Sequence, residues 1–110
     1  MGADVVRREV DKCKLKRFET VKLQAIMERA ATGTLRPPDV KHLGDGLLEL
    51  RFEGERRIFR LFYSEVDNQG PVLLAVKFIN KKATHGIATD PDDIKSARKR
   101  LTEWNGRPRP

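Results

Sequence analysis

The sequence contains one cysteine, Cys13, and only two histidines. A single thiol excludes an internal disulfide, and the paired Cys and His spacings of a zinc site are absent. No stretch approaches the roughly 18 apolar residues that a membrane-spanning helix needs. The N-terminal segment is rich in Lys and Arg and has no continuous apolar stretch, unlike a secretory signal. We therefore expect a cytoplasmic protein without a membrane association or a bound metal.

Aromatic residues make up only 6% of the 110 residues, so the core must consist mainly of Leu, Val, Ile and the five phenylalanines. This length predicts one domain. We place it at residues 1–105 and expect a flexible tail at residues 106–110.

Acidic residues are the minority among the charges, with 16 Asp and Glu against 23 Lys and Arg, which gives a net charge of +7. Such an excess attracts polyanions. Nucleic acid is the first candidate, although an acidic protein or an anionic membrane would be attracted by the same field. Solubility alone is a further explanation of the charge.

The N-terminal segment, residues 4–32, contains neither Pro nor Gly, and Gly33 follows it at the position of a helix C-cap. Its apolar spacing changes once, which two helices joined near residues 14–17 explain better than one. The first apolar stripe contains Val6, Val10 and Cys13, and the second contains Phe18, Val21, Ala25, Ile26 and Ala30.

Residues 32–46 contain a Pro pair and three glycines, which predicts a loop. From Leu47 the apolar period becomes two, which predicts a strand with Leu48, Leu50 and Phe52 on one face and Leu47, Glu49 and Arg51 on the other. A tight turn around Gly54 leads to a second strand over residues 56–64, and it allows Arg51 and Arg60 to lie on one sheet face.

Residues 71–80 are apolar almost throughout, which predicts a central strand covered on both sides. Asp90, Pro91 and the following acidic residues are typical of a helix start, and this final helix continues to about Trp104. The fold class is therefore α+β, with two N-terminal helices, an antiparallel meander of three or possibly four strands, and a C-terminal helix.

Three motifs occur in order along the hairpin and the last strand: LGDGLLELR at residues 43–51, FRLFY at residues 59–63 and FINKK at residues 78–82. They resemble the RelE/ParE superfamily of bacterial type II toxins, in particular its phage-derived, HigB-like branch. The likeness spans roughly residues 8–104. Members usually begin with a β-strand, for which only residues 1–5 are available here. Loss of that strand would expose a sheet edge that a partner chain could cover.

The resemblance implies a RelE-like fold and the toxin of a toxin–antitoxin system. Such a toxin is expected to inhibit translation as a ribosome-dependent mRNA endonuclease that works without a metal or cofactor, by attack of the RNA 2′-hydroxyl. The implied partners are the ribosome, its mRNA and a helix-turn-helix antitoxin, which alone would contact operator DNA. Two alternatives remain open: a non-catalytic, ParE-like inhibitor of gyrase, and a degenerate toxin-like protein that binds nucleic acid.

Arginine suits metal-independent RNA cleavage, because its planar cation holds two phosphate oxygens and stabilises a five-coordinate phosphorus. By resemblance Arg60 is the preferred residue, since it matches the arginine of the motif at residues 59–63. His85 is the first candidate proton acceptor, followed by Lys81 or Lys82. The candidate catalytic residues are Arg60, Arg51, Lys81, Lys82 and His85, and the candidate RNA-binding residues are Arg57, Lys77, Lys95, Arg98 and Lys99.

Each candidate also has a structural explanation. Arg51 and Arg60 could be solvated strand residues paired with Glu49, Glu53 or Glu55. Tyr63 is better explained by packing than by catalysis, and His85 could be an incidental surface residue. The basic final helix could equally be a solvated face.

Overall fold

The computed structural model describes residues 3–67, 71–82 and 89–106. The helices are α1 (Ala3–Lys12), α2 (Arg17–Thr32) and α3 (Pro91–Asn105), with a short 3-10 turn at Pro37–Asp39. The strands are β1 (Val40–Gly44), β2 (Leu47–Glu53), β3 (Arg57–Asp67) and β4 (Pro71–Lys82). They form one antiparallel sheet in the order β1-β2-β3-β4. The α+β prediction, with two helices before the sheet and one after it, is confirmed.

Helices cover both faces of this sheet. The face that we call the α1–α2 face carries the larger core, which includes Leu48, Leu50, Phe59, Leu61 and Tyr63 from the strands. The opposite face, the α3 face, packs against α3 through Leu47, Phe62, Val76, Ala97 and Leu101. Successive strand residues therefore alternate between two buried layers, as the mixed apolar pattern of the hairpin predicts.

Three phenylalanines form a continuous row across the α1–α2 face. The rings of Phe52 and Phe59, which are partners in the β2–β3 register, have centroids 4.9 Å apart, and Phe59 and Phe78 are 5.5 Å apart. Phe62 is buried on the other face. Tyr63 is only 2% exposed, and burial raises the pKa of its phenol. The prediction that Tyr63 serves packing is confirmed.

Two sequence-based expectations about the sheet are wrong. The segment over residues 32–46 is not all loop, because β1 forms within it and pairs antiparallel with β2. The strand over residues 71–80 is not central, because β4 is the edge of the sheet. The apolar residues of β4 have another explanation. α1 and α3 lie on its two faces, so Val76 and Phe78 are buried although one edge of the strand is open.

An ion pair covers part of this open edge. Arg100 on α3 is paired with Glu9 on α1 at 2.8 Å, and the same arginine donates to the carbonyl of Val76 at 3.0 Å. The Glu9 carboxylate accepts from the backbone N–H of Phe78 at 3.2 Å. These contacts satisfy backbone groups that an added strand would otherwise pair with. The segment over residues 3–5, where relatives would have a strand, is helical here.

The second apolar stripe also differs from its prediction. Phe18 and Val21 are 46% and 57% exposed, whereas Leu23, Ile26 and Ala30 are buried. The helix contacts the sheet along the row that begins at Glu19, which is fully buried. The prediction was based on apolar residues alone, so it did not include the charged Glu19 at the start of the buried row.

Glu19 is buried because Arg57 neutralises it. The Arg57 guanidinium donates to both Glu19 oxygens, at 2.6 and 3.0 Å, and to the carbonyls of Cys13 and Lys14. Glu19 also accepts from the backbone N–H of Lys16 and Glu55. The hydrogen bond from Arg57 lowers the pKa of Glu19 below its ordinary value. This cluster joins the α1–α2 connection to the β2–β3 turn, and a Cβ at Gly54 would overlap the Glu19 carboxylate and the Phe59 ring.

Replacing Glu19 with Gln is expected to lower the free energy of unfolding by about 2–3 kcal/mol at neutral pH, because Arg57 loses its counter-charge. Since the folded-state pKa of Glu19 is depressed, its contribution is complete above the unfolded pKa of about 4.3. It is lost as the pH falls through the folded value. Urea denaturation of both proteins at pH 7 and pH 3 measures the difference, which should shrink at the lower pH.

Glu28→Gln is the matched control, because Glu28 is exposed on the same helix. It should change the stability by no more than about 0.5 kcal/mol. A loss for Glu19→Gln that matches the control, or one that is the same at both pH values, would contradict the structural role of the pair.

Candidate functional site

The β2–β3 register places Arg51 directly opposite Arg60 on the α3 face of the sheet. This confirms the prediction that the two arginines share a face. The chain between them is a tight turn in which the Gly54 N–H donates to the Arg57 carbonyl at 2.8 Å and Arg56 has a positive φ of 57°. α3 covers the Leu47 and Phe62 end of this face, while the two arginines border a cleft.

The cleft has a volume of about 420 Å³ and lies between the sheet, the 3-10 turn and Thr89, two residues before α3 begins at Pro91. It is lined by Pro37, Pro38, Asp39, Val40, Lys41, Glu49, Arg51, Arg60 and Thr89. Three of these side chains are cationic and two are acidic, which leaves an excess of one positive charge. The volume falls in the range of small-ligand sites.

Arg60 and Glu49 form a buried network with Thr89 at this cleft. Arg60 is 3% exposed and Glu49 is 2% exposed. Arg60 Nη1 donates to Thr89 Oγ1 at 3.0 Å and lies 3.4 Å from Glu49 Oε2, while the Thr89 hydroxyl donates to Glu49 Oε1 at 2.5 Å. The structural alternative of pairing with Glu49 is therefore correct for Arg60, but the residue is not solvated.

Arg51 differs from Arg60 in both exposure and contacts. It is half-buried, and within the ranges that the structure describes its guanidinium has no hydrogen-bond or ion-pair partner. The pairing with Glu49, Glu53 or Glu55 that its position allowed does not form. Arg51 therefore offers a planar cation to a ligand in the cleft.

Two of the three candidate lysines of β4, Lys77 and Lys81, are paired with the acidic start of α3. Lys77 lies 3.5 Å from Asp93, and Lys81 lies 3.6 Å from Asp93 and 3.8 Å from Asp90. Neither lysine lines the cleft with the two arginines. The catalytic role of Lys81 and the RNA-binding role of Lys77 stay predictions, and both cations carry acidic counter-charges in this structure.

The other candidates are distributed around the fold. Arg57 belongs to the Glu19 cluster on the α1–α2 face. Arg98 donates to the carbonyls of Leu43 and Gly44 and so holds α3 against the β1–β2 turn. Lys95 and Lys99 are exposed on α3 and do not line the cleft. The side chain of Lys82 and all of His85 lie outside the described residues, so their catalytic roles stay predictions.

Sequence reasoning missed Thr89, Asp39 and Lys41. Lys41 is the register partner of Glu49 on β1, a strand that the sequence did not predict. Thr89 comes directly before Asp90, whose side chain caps α3 by accepting from the Asp92 N–H at 2.9 Å. The helix start was recognisable from sequence, but the contact of Thr89 with Glu49 depends on where α3 packs.

The described residues contain no group of three or more His, Cys, Asp or Glu side chains that could hold a metal ion. No helix in those ranges is both long and apolar enough to cross a membrane.

The network predicts different stabilities for the two arginine variants. Arg60→Gln removes the counter-charge of buried Glu49 and should lower the free energy of unfolding by about 3 kcal/mol. Arg51→Gln removes a cation without a described partner and should change it by no more than about 0.5 kcal/mol. Urea denaturation of the purified variants measures both effects.

The double variant Glu49→Gln/Arg60→Gln is the internal control, because it removes both charges. It should recover part of the stability lost in Arg60→Gln, as expected for residues that interact directly. Equal losses for Arg51→Gln and Arg60→Gln, or a double variant that is no more stable than Arg60→Gln, would show that the buried pair is not the important interaction.

The chain was compared with protein families, curated proteins and solved structures. No curated protein and no solved structure matches the chain significantly. The family described as "Phage derived protein Gp49-like (DUF891)" matches residues 14–102, which include the whole sheet, every residue of the cleft and most of α3. This family is associated with RelE-like and other toxin-like proteins. The chain therefore belongs to the phage-derived Gp49-like family.

Proposed function

We propose that this protein is the toxin of a type II toxin–antitoxin system and cleaves mRNA on the ribosome. The main supporting observation is that Arg51 and Arg60 lie opposite each other in the β2–β3 register and border the same cleft. Arg51 has no counter-charge among the described residues. Membership of a phage-derived, toxin-associated family supports it. The HigB-like assignment and the antitoxin partner are parts of the same proposal.

Arg51 is the residue that we assign to the scissile phosphate. A guanidinium can donate two hydrogen bonds to the non-bridging oxygens, and its charge does not depend on pH. As the 2′-oxygen attacks phosphorus, the developing five-coordinate group carries additional negative charge. A cation held beside it stabilises that state more than the ground state.

Arg60 has a different part in this proposal. Because it is almost fully covered, it acts mainly by holding the Glu49 carboxylate and Thr89 at the edge of the cleft. Its positive charge also contributes to the field around the phosphate. Arg60 is therefore a positioning residue here, and Arg51 is the group that touches the substrate.

The proton of the attacking 2′-hydroxyl needs an acceptor, and His85 stays the first candidate from the sequence, followed by Lys81 or Lys82. Glu49 is not assigned this part, because it is as covered as Arg60 and its two oxygens face Thr89 and Arg60. The new bond joins the 2′-oxygen to phosphorus, and the bond to the 5′-oxygen breaks. The products are a 2′,3′-cyclic phosphate and a 5′-hydroxyl, the latter formed when the leaving oxygen takes up a proton.

The ribosome supplies what the isolated cleft lacks. Cleavage by the 2′-hydroxyl requires the attacking oxygen, phosphorus and leaving oxygen to lie nearly in line. Holding the reactants in that geometry can account for several kcal/mol of the barrier. We therefore expect little cleavage of free RNA.

Induced expression in bacteria tests the proposal. The wild-type chain should arrest growth, and mapped transcript 5′ ends should show new cuts inside translated codons. Arg51→Gln should remove the cuts and relieve the arrest, because it removes the phosphate contact while preserving the fold. Arg51→Lys should keep part of the activity, since it keeps the charge but loses the bidentate geometry.

Arg7→Gln is the matched control, because it removes one positive charge from an exposed position on α1. It should behave like the wild type. Arrest without cuts and with loss of DNA supercoiling would replace the proposal with gyrase inhibition. Absence of arrest by a folded, well-expressed wild-type chain would favour a toxin-like protein that binds nucleic acid without cleaving it.

A further inference from the structure

A second groove adjoins the cleft and shares three of its lining residues, Pro38, Asp39 and Arg51. It also has a volume of about 420 Å³ and runs between α2 and the end of β2. Arg51 therefore lies where the two spaces meet. A ligand held by Arg51 in the cleft is adjacent to this groove.

The groove is open because β1 covers only part of β2. Val40, the first residue of β1, pairs with Leu50, so no strand among the described residues pairs with residues 51–53 of β2 on that side. The preceding prolines, Pro37 and Pro38, form the 3-10 turn instead of continuing the strand. Proline has no N–H to donate to a ladder, which explains why pairing stops there.

The α2 side of the groove is apolar. Val21, which is 57% exposed, lines it together with Ala25 and Ile26, and Phe52 contributes from β2. Val21 lies off the buried row of α2, and of the three large apolar side chains that this helix exposes it is the one that lines the groove. Such a surface is suited to the flat, weakly polar face of an aromatic ring system.

The groove is lined by three cationic and two acidic side chains, so it carries an excess of one positive charge: Lys22, Arg29 and Arg51 against Asp39 and Glu53. Lys22 reaches across to the Glu53 carbonyl at 2.9 Å, and Arg29 lies 3.8 Å from Asp39. Together with Arg51, Lys22 and Arg29 border the apolar strip around Val21. Cations beside the strip can contact the phosphates of an RNA strand. The apolar surface of Val21 can then be covered by a base of the same strand.

We propose that this groove is a base-binding subsite, which holds the nucleobase of the nucleotide next to the phosphate bound by Arg51. The inference rests on the proposed function, since it assumes an RNA strand in the cleft. A docked protein segment would also bury Val21. The continuity with the cleft through Arg51 favours the RNA.

The test is an NMR titration of the ¹⁵N-labelled full chain with two oligomers of equal length and charge, an oligoadenylate and an abasic ribose-phosphate chain. The oligoadenylate should shift the amides of Val21 and Ala25 and bind about fivefold more tightly, because its base covers apolar surface around Val21 that the abasic chain leaves in water. The abasic chain should shift the amides around Arg51 and leave those of α2 unchanged.

Val21→Asp places a negative charge in the groove and should bring the affinity for oligoadenylate down to that for the abasic chain. Met27→Asp is the matched control, since Met27 is 40% exposed on the same helix but does not line the groove. It should preserve the fivefold preference. The dispersion of the amide spectrum reports whether each variant is folded.

The outcomes separate this inference from the proposed function. If Arg51→Gln weakens both oligomers but they bind equally well to the wild type, the subsite is wrong and the phosphate site stands. A preference for oligoadenylate that survives Val21→Asp also overturns the subsite and leaves the groove for a protein partner. If Arg51→Gln changes the affinity for neither oligomer, Arg51 does not bind phosphate. The proposed subsite is then wrong as well, because it assumes that phosphate contact.

Discussion

The pairing of two arginines across the β2–β3 hairpin is the constraint on which the site depends. Like charges that lie directly opposite in a sheet destabilise it, so this arrangement needs a compensating interaction. Glu49, two residues before Arg51 on the same face, supplies the counter-charge to Arg60. Thr89 completes the network and connects it to the start of α3. Arg51 keeps an uncompensated charge beside this network, at the surface of the cleft.

The partner of each arginine distinguishes the cations that stabilise the fold from a cation that can bind a ligand. Arg57 and Arg100 each neutralise a glutamate and connect helices to the sheet. Arg98 donates to backbone carbonyls at the β1–β2 turn. A net charge of +7 is thus a poor guide to the site, because several of its cations hold the fold together. Arg51 differs from these arginines, because it has no hydrogen-bond or ion-pair partner among the described residues.

The spacing of apolar residues was sufficient to predict the helices, the hairpin and the shared face of Arg51 and Arg60, because these follow from local sequence and a tight turn. It did not predict where a charged residue occupies a buried position. Glu19 is buried only because Arg57 comes from a distant strand, and no local pattern reports that. β1 was missed because glycines and prolines flank a short edge strand. Thr89 joins the site through the packing of α3, which is a tertiary contact.

The most direct test of the account is cleavage by the purified chain of a defined mRNA on translating ribosomes, with a single 2′-deoxynucleotide placed at the mapped cut. If Arg51 stabilises attack by the 2′-hydroxyl, the all-ribose message is cut to a 2′,3′-cyclic phosphate and a 5′-hydroxyl. The deoxy substitution then abolishes that cut. Equal cutting of both messages would contradict the mechanism, and failure to cut either would contradict the assignment of the cleft as a nuclease site.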